Sequence, residues 1–199
     1  MRTGFFCVTI AVVLLAGFTP AFAAVTVLGS GTGKDEADND QEFTFNVTVP
    51  AGTQLAVIGV TNHDDRGVER VKFDNNTSLF TPIVDSEASG MDERAALLYF
   101  KNPPAGAQVV NVKITGNSLH KAAGILFLGG VDMDAFSAPG AATPLVPTAK
   151  YAGGGAGAST LSFTAAEAPE GRLAISAVMN KGKTLTVSGS QTQQWWQET

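Results

Sequence analysis

The chain has 199 residues, a formal net charge of −5 at pH 7, and a single cysteine, Cys7. The length suits one domain with a substantial hydrophobic core. The acidic balance argues against a general binder of nucleic acids or anionic membranes, because both functions need a basic surface. Because the chain contains no cysteine after Cys7, that part of it has no disulfide, no zinc–thiolate site and no cysteine nucleophile.

The first 23 residues have the pattern of a secretory signal peptide. Arg2 supplies the positive charge, Phe5–Leu15 is the apolar run, and residues 21–23 (Ala-Phe-Ala) form a small-x-small cleavage site. The apolar run is shorter than the roughly 20 residues that a membrane-spanning helix needs. We therefore expect cleavage after residue 23, which also removes Cys7. The protein is predicted to be secreted, and export is compatible with the cell surface, the medium and the periplasm.

Residues 24–42 and the segments that follow them differ in pattern. Residues 24–42 are small, polar and acidic without a hydrophobic period, which predicts a flexible lead-in. From Phe43 to Val49 every second residue is apolar, which predicts a strand with one buried face. Leu55–Val60 is a nearly continuous apolar run, which predicts a strand covered on both faces.

Further short strands are predicted at roughly ten-residue spacing, bounded by Gly, Pro or Asn. Pro82 favours an edge strand or a bulge, and Arg94–Phe100 is interpreted as a strand although its residues are good helix formers. The segments are Val68–Phe73, Leu79–Val84, Arg94–Phe100, Val109–Ile114, Ala122–Leu128, Leu161–Thr164, Leu173–Val178 and Leu185–Val187. About ten short strands and no long amphipathic helix predict an all-β chain. We expect a single antiparallel β-sandwich, jelly-roll or immunoglobulin-like, over residues 43–199.

Several of these segments follow an order seen in a known family. They are Leu55–Thr61, Val68–Phe73, Leu79–Val84, Leu97–Gly106 and Phe127–Asp132. Over most of Phe43–Trp195 the chain resembles a jelly-roll-like β-sandwich module of secreted bacterial surface proteins. The resemblance implies a β-sandwich fold and a non-catalytic role at the cell surface, either adhesive or structural.

The chain departs from that family near its C-terminus. Such modules continue after a Thr-Gln-x-Trp segment, here Thr192–Trp195, with strands that complete the sandwich, whereas this sequence ends at Thr199. Three explanations stay open: the fold closes in another way, the chain is a truncated module, or a strand of another molecule fills the gap by strand addition. The third would make the protein a self-assembling subunit.

Few residues suggest catalysis. Gly29–Lys34 does not have the glycine spacing of a phosphate-binding loop, and Asp35 stands where that loop needs Ser or Thr. His63 and His120 are the candidate general bases, but Ser118 lacks the context of an activated nucleophile. We predict no catalytic residues and no enzymatic activity.

Two acidic regions offer oxygen ligands for calcium. The acids between Asp35 and Glu42 are better interpreted as a solvated stretch. Asp132 and Asp134 follow a buried strand and form a smaller oxygen pair, where a structural calcium ion is the alternative to turn capping. No other cofactor is predicted.

Aromatic residues suggest a ligand site. Trp195 and Trp196 point in opposite directions if they lie on a strand, so one of them can face solvent. An exposed indole is a flat apolar plate for a sugar ring or a protein partner.

The main prediction is a secreted, non-catalytic surface module. The alternative is a glycan-binding module that uses Trp195, Trp196 and Tyr99.

Overall fold

The structure, a computed structural model, describes residues 25–35, 39–62, 66–74, 76–86, 94–131 and 133. Their regular secondary structure is entirely β-strand, which confirms the all-β prediction for this part of the chain. The strands are β1 (Thr26–Asp35), β2 (Asp40–Val49), β3 (Leu55–Asn62), β4 (Val68–Phe73), β5 (Thr81–Ser86), β6 (Arg94–Lys101), β7 (Gly106–Ser118) and β8 (Lys121–Gly129). Within these ranges no helical segment has the length and hydrophobicity to span a bilayer.

The strands form two antiparallel sheets. One sheet has five strands in the order β1-β8-β3-β6-β5, and the other has three in the order β2-β7-β4. Each of β2 to β5 therefore lies in the opposite sheet from the strand before it. This alternation places the apolar faces of successive strands against each other, as in a β-sandwich.

The main core lies between the two sheets. In β2 the residues Phe43, Phe45, Val47 and Val49 are buried while the polar residues between them are exposed, as their alternation predicted. Phe73 of β4, Phe80 and Phe100 of β6 form an aromatic group with ring centroids 5.2 to 5.4 Å apart. Because β4 and β6 belong to different sheets, this group joins the sheets directly.

Three features of individual strands follow the sequence. All eight residues of β3 are buried, as its continuous apolar run predicted. The pairing of β5 with β6 shifts register between Pro82 and Val84, which agrees with the bulge expected at that proline. Arg94–Lys101 forms strand β6 and not a helix. After β6 the chain turns through Asn102 (φ 49°) and Gly106 (φ 95°) into β7.

The prediction of a flexible lead-in over residues 24–42 is corrected by β1, which pairs with β8 from Thr26 to Asp35. Its hydrophobic alternation is missing because glycines occupy the positions that face β2. A Cβ added to Gly31 would lie 2.6 Å from Cγ1 of Val47, and one added to Gly33 would overlap the side chain of Phe45. The large side chains of β2 fill the space that side chains on the inward face of β1 would otherwise occupy. For this reason β1 shows no alternating apolar residues in the sequence.

Candidate functional site

The central strands β3 and β8 of the five-stranded sheet are buried on both faces. On the face turned away from the main core lie five side chains that are only 3 to 7% exposed: Leu55, Val57, Tyr99, Leu126 and Leu128. We call this cluster the outer apolar face. In a two-sheet sandwich the outward positions of each strand are normally polar. The described residues Val25, Ile83, Leu97 and Val131 pack against this cluster, so the outward side of the five-stranded sheet is apolar where that of a two-sheet sandwich is normally polar.

Tyr99 lies in the outer apolar face and not at the protein surface. It pairs in register with Val57 of β3 on one side and Thr81 of β5 on the other. With 7% of its surface exposed, the ring has no free face on which a sugar could stack. The burial of Tyr99 does not fit the predicted role of this residue in stacking on a sugar.

The other predicted ligand residues lie outside the described part of the chain. These are Trp195 and Trp196, the predicted stacking residues, and Asp132 and Asp134, the predicted calcium ligands. His63 also falls outside it. The roles of these residues therefore stay predictions.

A buried lysine joins four strand ends. Lys121, the first residue of β8, has no exposed surface, and its Nζ lies 3.1 Å from Oδ2 of Asp35 and 2.6 Å from Oδ1 of Asp40. The ammonium also donates to the backbone carbonyls of Asp40 (3.1 Å) and Ser118 (2.6 Å). These oxygens offset the cost of burying a charge. We call this group the Lys121 tie, since it connects β1, β2 and β7 to β8.

The Lys121 tie changes the interpretation of the acidic stretch. Asp35 and Asp40 both neutralise the ammonium of Lys121, and Glu42 pairs with Arg70. Among the described residues no group of three or more His, Cys, Asp or Glu is arranged to hold a metal ion. The sequence could not show this pairing, because Lys121 is far along the chain from its two carboxylates.

Ser118 and His120 do not form a nucleophile–base pair in this structure. Ser118 is buried, and its hydroxyl donates to the backbone carbonyl of His120 at 3.4 Å and not to the imidazole. The hydroxyl therefore closes the turn between β7 and β8. This geometry does not have the hydrogen bond from nucleophile to base that activates a serine.

The outer face of the three-stranded sheet is polar. At its centre Glu42 accepts hydrogen bonds from Nη2 of Arg70 (2.9 Å) and from Nδ2 of Asn111, which is itself buried. Nearby, Nζ of Lys113 lies 2.7 Å from Oε1 of Glu69. We call this surface the outer polar face. The alternating polar residues of β2 already indicated it.

An open groove of about 450 Å³ lies beside β1 and β2. Its polar lining comes from Ser30 of β1, Asn46 and Thr48 of β2, and Gln108 of β7. Oε1 of Gln108 is buried and has no hydrogen-bond partner among the described residues. The groove thus offers hydroxyl and amide groups to a polar ligand.

Comparisons with known proteins add no family to this geometry. The chain matches no protein-family model, and no match was found among curated proteins or solved structures. The function is therefore argued from the residues and the fold themselves.

Proposed function

We propose that this protein is a secreted, non-catalytic β-sandwich module that acts as an adhesive or structural unit at an extracellular surface. The observation that carries the proposal is the Lys121 tie. A buried ammonium with two carboxylates is the kind of group that an enzyme places in a cleft. Here Lys121 has no exposed surface and joins the ends of four strands, so its charge serves the rigidity of the fold.

The strand order supports the more specific assignment to a jelly roll. Early and late strands alternate along β1-β8-β3-β6 in one sheet and along β2-β7-β4 in the other. The segment before β5 bridges the sheets, because Leu79 pairs with Lys72 of β4 while β5 pairs with β6. This order fits the resemblance to modules of secreted bacterial surface proteins.

The signal peptide is the second support, and it gives the direct test. The intact protein from the producing bacterium should begin at Ala24 by mass spectrometry. Protease added to intact cells should digest it, while a cytoplasmic marker protein stays uncut. A chain that keeps Met1 and is protected inside the cell contradicts the proposal.

Glycan binding is the second candidate, and the groove beside β1 and β2 favours it. Hydroxyl and amide side chains match the hydrogen-bonding groups of a sugar, and Oε1 of Gln108 still needs a donor. A glycan array probed with the secreted chain tests this function. Binding that is lost in Asn46→Ala but kept in Trp195→Ala would assign the sugar to the groove, and the reverse would assign it to the tryptophans. No binding to any glycan contradicts this candidate.

A further inference from the structure

The groove beside β1 and β2 has a wall in which polar and apolar side chains are paired. Strand β2 pairs with β7 along this wall, and each of three cross-strand pairs joins one hydrogen-bonding side chain to one aliphatic side chain. The pairs are Asn46 with Val109, Val47 with Gln108, and Thr48 with Ala107. Paired residues of adjacent antiparallel strands lie side by side on the same face of the sheet. A ligand in the groove therefore meets amide or hydroxyl groups directly beside methyl groups.

The eight described residues that line the groove are all uncharged. The chain as a whole has a net charge of −5. An anionic sugar would find no cation among these residues and would be repelled by the chain. An amine-bearing sugar would find no carboxylate among them to pair with its charge. The lining therefore favours a neutral ligand.

The apolar part of the wall is small and aliphatic. It is supplied by Gly31, Val47, Ala107 and Val109, and none of the described lining residues is aromatic. The flat face of a sugar ring is matched by an aromatic plate. Short aliphatic side chains match a smaller apolar group, of the size of a methyl.

Oε1 of Gln108 is the polar atom of the wall that needs a partner. It is buried and has no hydrogen-bond partner among the described residues, whereas most buried polar side-chain atoms of folded proteins have one. Rotation of the terminal amide about χ3 is soft and breaks no hydrogen bond at Oε1, so this oxygen can turn toward the groove. Because an amide oxygen only accepts hydrogen bonds, its partner must be an N–H or O–H group of the ligand.

We propose that the groove binds an N-acetylated amino sugar through its acetamido group. The acetamido N–H donates to Oε1 of Gln108, and the methyl group packs against Val47 and Val109. The acetamido oxygen accepts from the side-chain amide of Asn46. A sugar hydroxyl brings a donor but no methyl group, so it uses only part of this wall. The inference rests on the proposed glycan binding in this groove, and it names the class of glycan.

Isothermal titration calorimetry of the mature chain, residues 24–199, with matched oligosaccharides tests the proposal. The probes are oligomers of N-acetylglucosamine and of N-acetylgalactosamine, the glucose and galactose oligomers of the same linkage, and the corresponding free amines. Within each set the only difference is an acetamido group, a hydroxyl or an amine on the second ring carbon. At least one N-acetylated oligomer should bind ~10-fold more tightly than both of its counterparts, because neither counterpart brings the N–H donor together with the methyl group.

A pair of variants assigns this preference to Gln108. Gln108→Leu removes the acceptor at nearly constant side-chain size and should abolish the preference for the acetamido group. Thr44→Val is the matched control, because it exchanges a polar for an apolar side chain on β2 outside the groove and should leave binding unchanged. Circular dichroism and urea denaturation show whether both variants are folded. The comparison of ligands on the unmodified chain decides the proposal even where a variant does not fold.

Three results would overturn the inference, and they separate it from the proposed function. Equal binding of N-acetylated and hydroxyl oligomers would keep glycan binding and remove the acetamido assignment. A preference that persists in folded Gln108→Leu would place the acetamido group elsewhere. Binding of none of the oligomers would remove the inference, while the mass and protease measurements decide separately whether the protein is a secreted surface module.

Discussion

The two sheets turn opposite kinds of surface outward. The three-stranded sheet presents the outer polar face, where Glu42, Arg70 and Asn111 interact. The five-stranded sheet presents the outer apolar face, in which residues such as Val57 and Leu126 are almost completely covered. The difference teaches that the three-stranded sheet has one buried face and one polar face, whereas the central strands of the five-stranded sheet carry buried apolar side chains on both faces.

The largest expected effect comes from placing the same charge on each outer face. Val57→Lys puts an ammonium into the outer apolar face, where no described carboxylate pairs with it, and should lower the free energy of unfolding by roughly 3–5 kcal/mol. Thr48→Lys puts the same group on the exposed side of β2 and should change it by less than about 0.5 kcal/mol. Urea denaturation of both variants measures the difference. Equal effects would remove the distinction between the two faces.

Breaking the Lys121 tie should lower the free energy of unfolding more than breaking the ion pair between Lys113 and Glu69. Lys121→Met leaves the carboxylate of Asp35 and the carbonyl of Ser118 without their donor in a buried place, and should cost about 3 kcal/mol. Lys113→Met removes a partly exposed ion pair with Glu69 on the outer polar face and should cost less than about 1 kcal/mol. Thermal and urea unfolding compare the two variants. A Lys121→Met protein as stable as Lys113→Met would show that the tie is not structural.

A methyl group on the inward side of β1 should destabilise the protein moderately. Gly33→Ala brings a Cβ into the side chain of Phe45, so β1 or the ring must shift, at a cost of about 1–3 kcal/mol. Ser30→Ala changes an exposed residue of the same strand and should stay within about 0.5 kcal/mol of the unmodified protein. The midpoints of urea denaturation distinguish them. An unchanged midpoint for Gly33→Ala would mean that β1 does not pack on β2 as described.

The smallest effect is expected on the outer polar face itself. Glu42→Gln keeps an oxygen that accepts from Asn111 and loses only a solvent-screened ion pair with Arg70, so less than about 1 kcal/mol should be lost. Glu42→Ala also leaves the buried amide of Asn111 without its acceptor and should cost about 1 kcal/mol more. Calorimetry or urea denaturation measures the difference in stability between the two variants. If the two substitutions cost the same, the hydrogen bond from Asn111 does not contribute.

Much of this contrast is already present in the sequence. The alternation of Phe43–Val49 predicts one buried face for β2, and the continuous apolar runs Leu55–Val60 and Ala122–Leu128 predict strands with both faces buried. These patterns are local, because the environment of a strand sets the polarity of its own residues. The bounds of β4 were also predicted correctly, from Val68 to Phe73.

The features that the sequence did not predict depend on contacts distant in the chain. Gly29–Gly33 resembles a linker until the side chains of β2 are placed beside it. Lys121 looks like an ordinary strand-end lysine until β1 and β2 bring Asp35 and Asp40 to it. The facing of Tyr99 also stays open in the sequence, since only the sheet order places this residue beside Val57 in the outer apolar face. Local sequence patterns do not show which residues from distant parts of the chain come into contact.

Thiol labelling tests most directly whether the two outer faces differ as described. Single cysteines are introduced into a chain of residues 24–199, which contains no cysteine of its own, at Val57 on the outer apolar face, Thr44 on the outer polar face and Val110 in the main core. We predict that Val57→Cys reacts as slowly as Val110→Cys at every protein concentration, at least ~100-fold more slowly than Thr44→Cys. Rapid labelling of Val57→Cys, or protection that grows with protein concentration, would contradict an outer apolar face that is buried within a single chain.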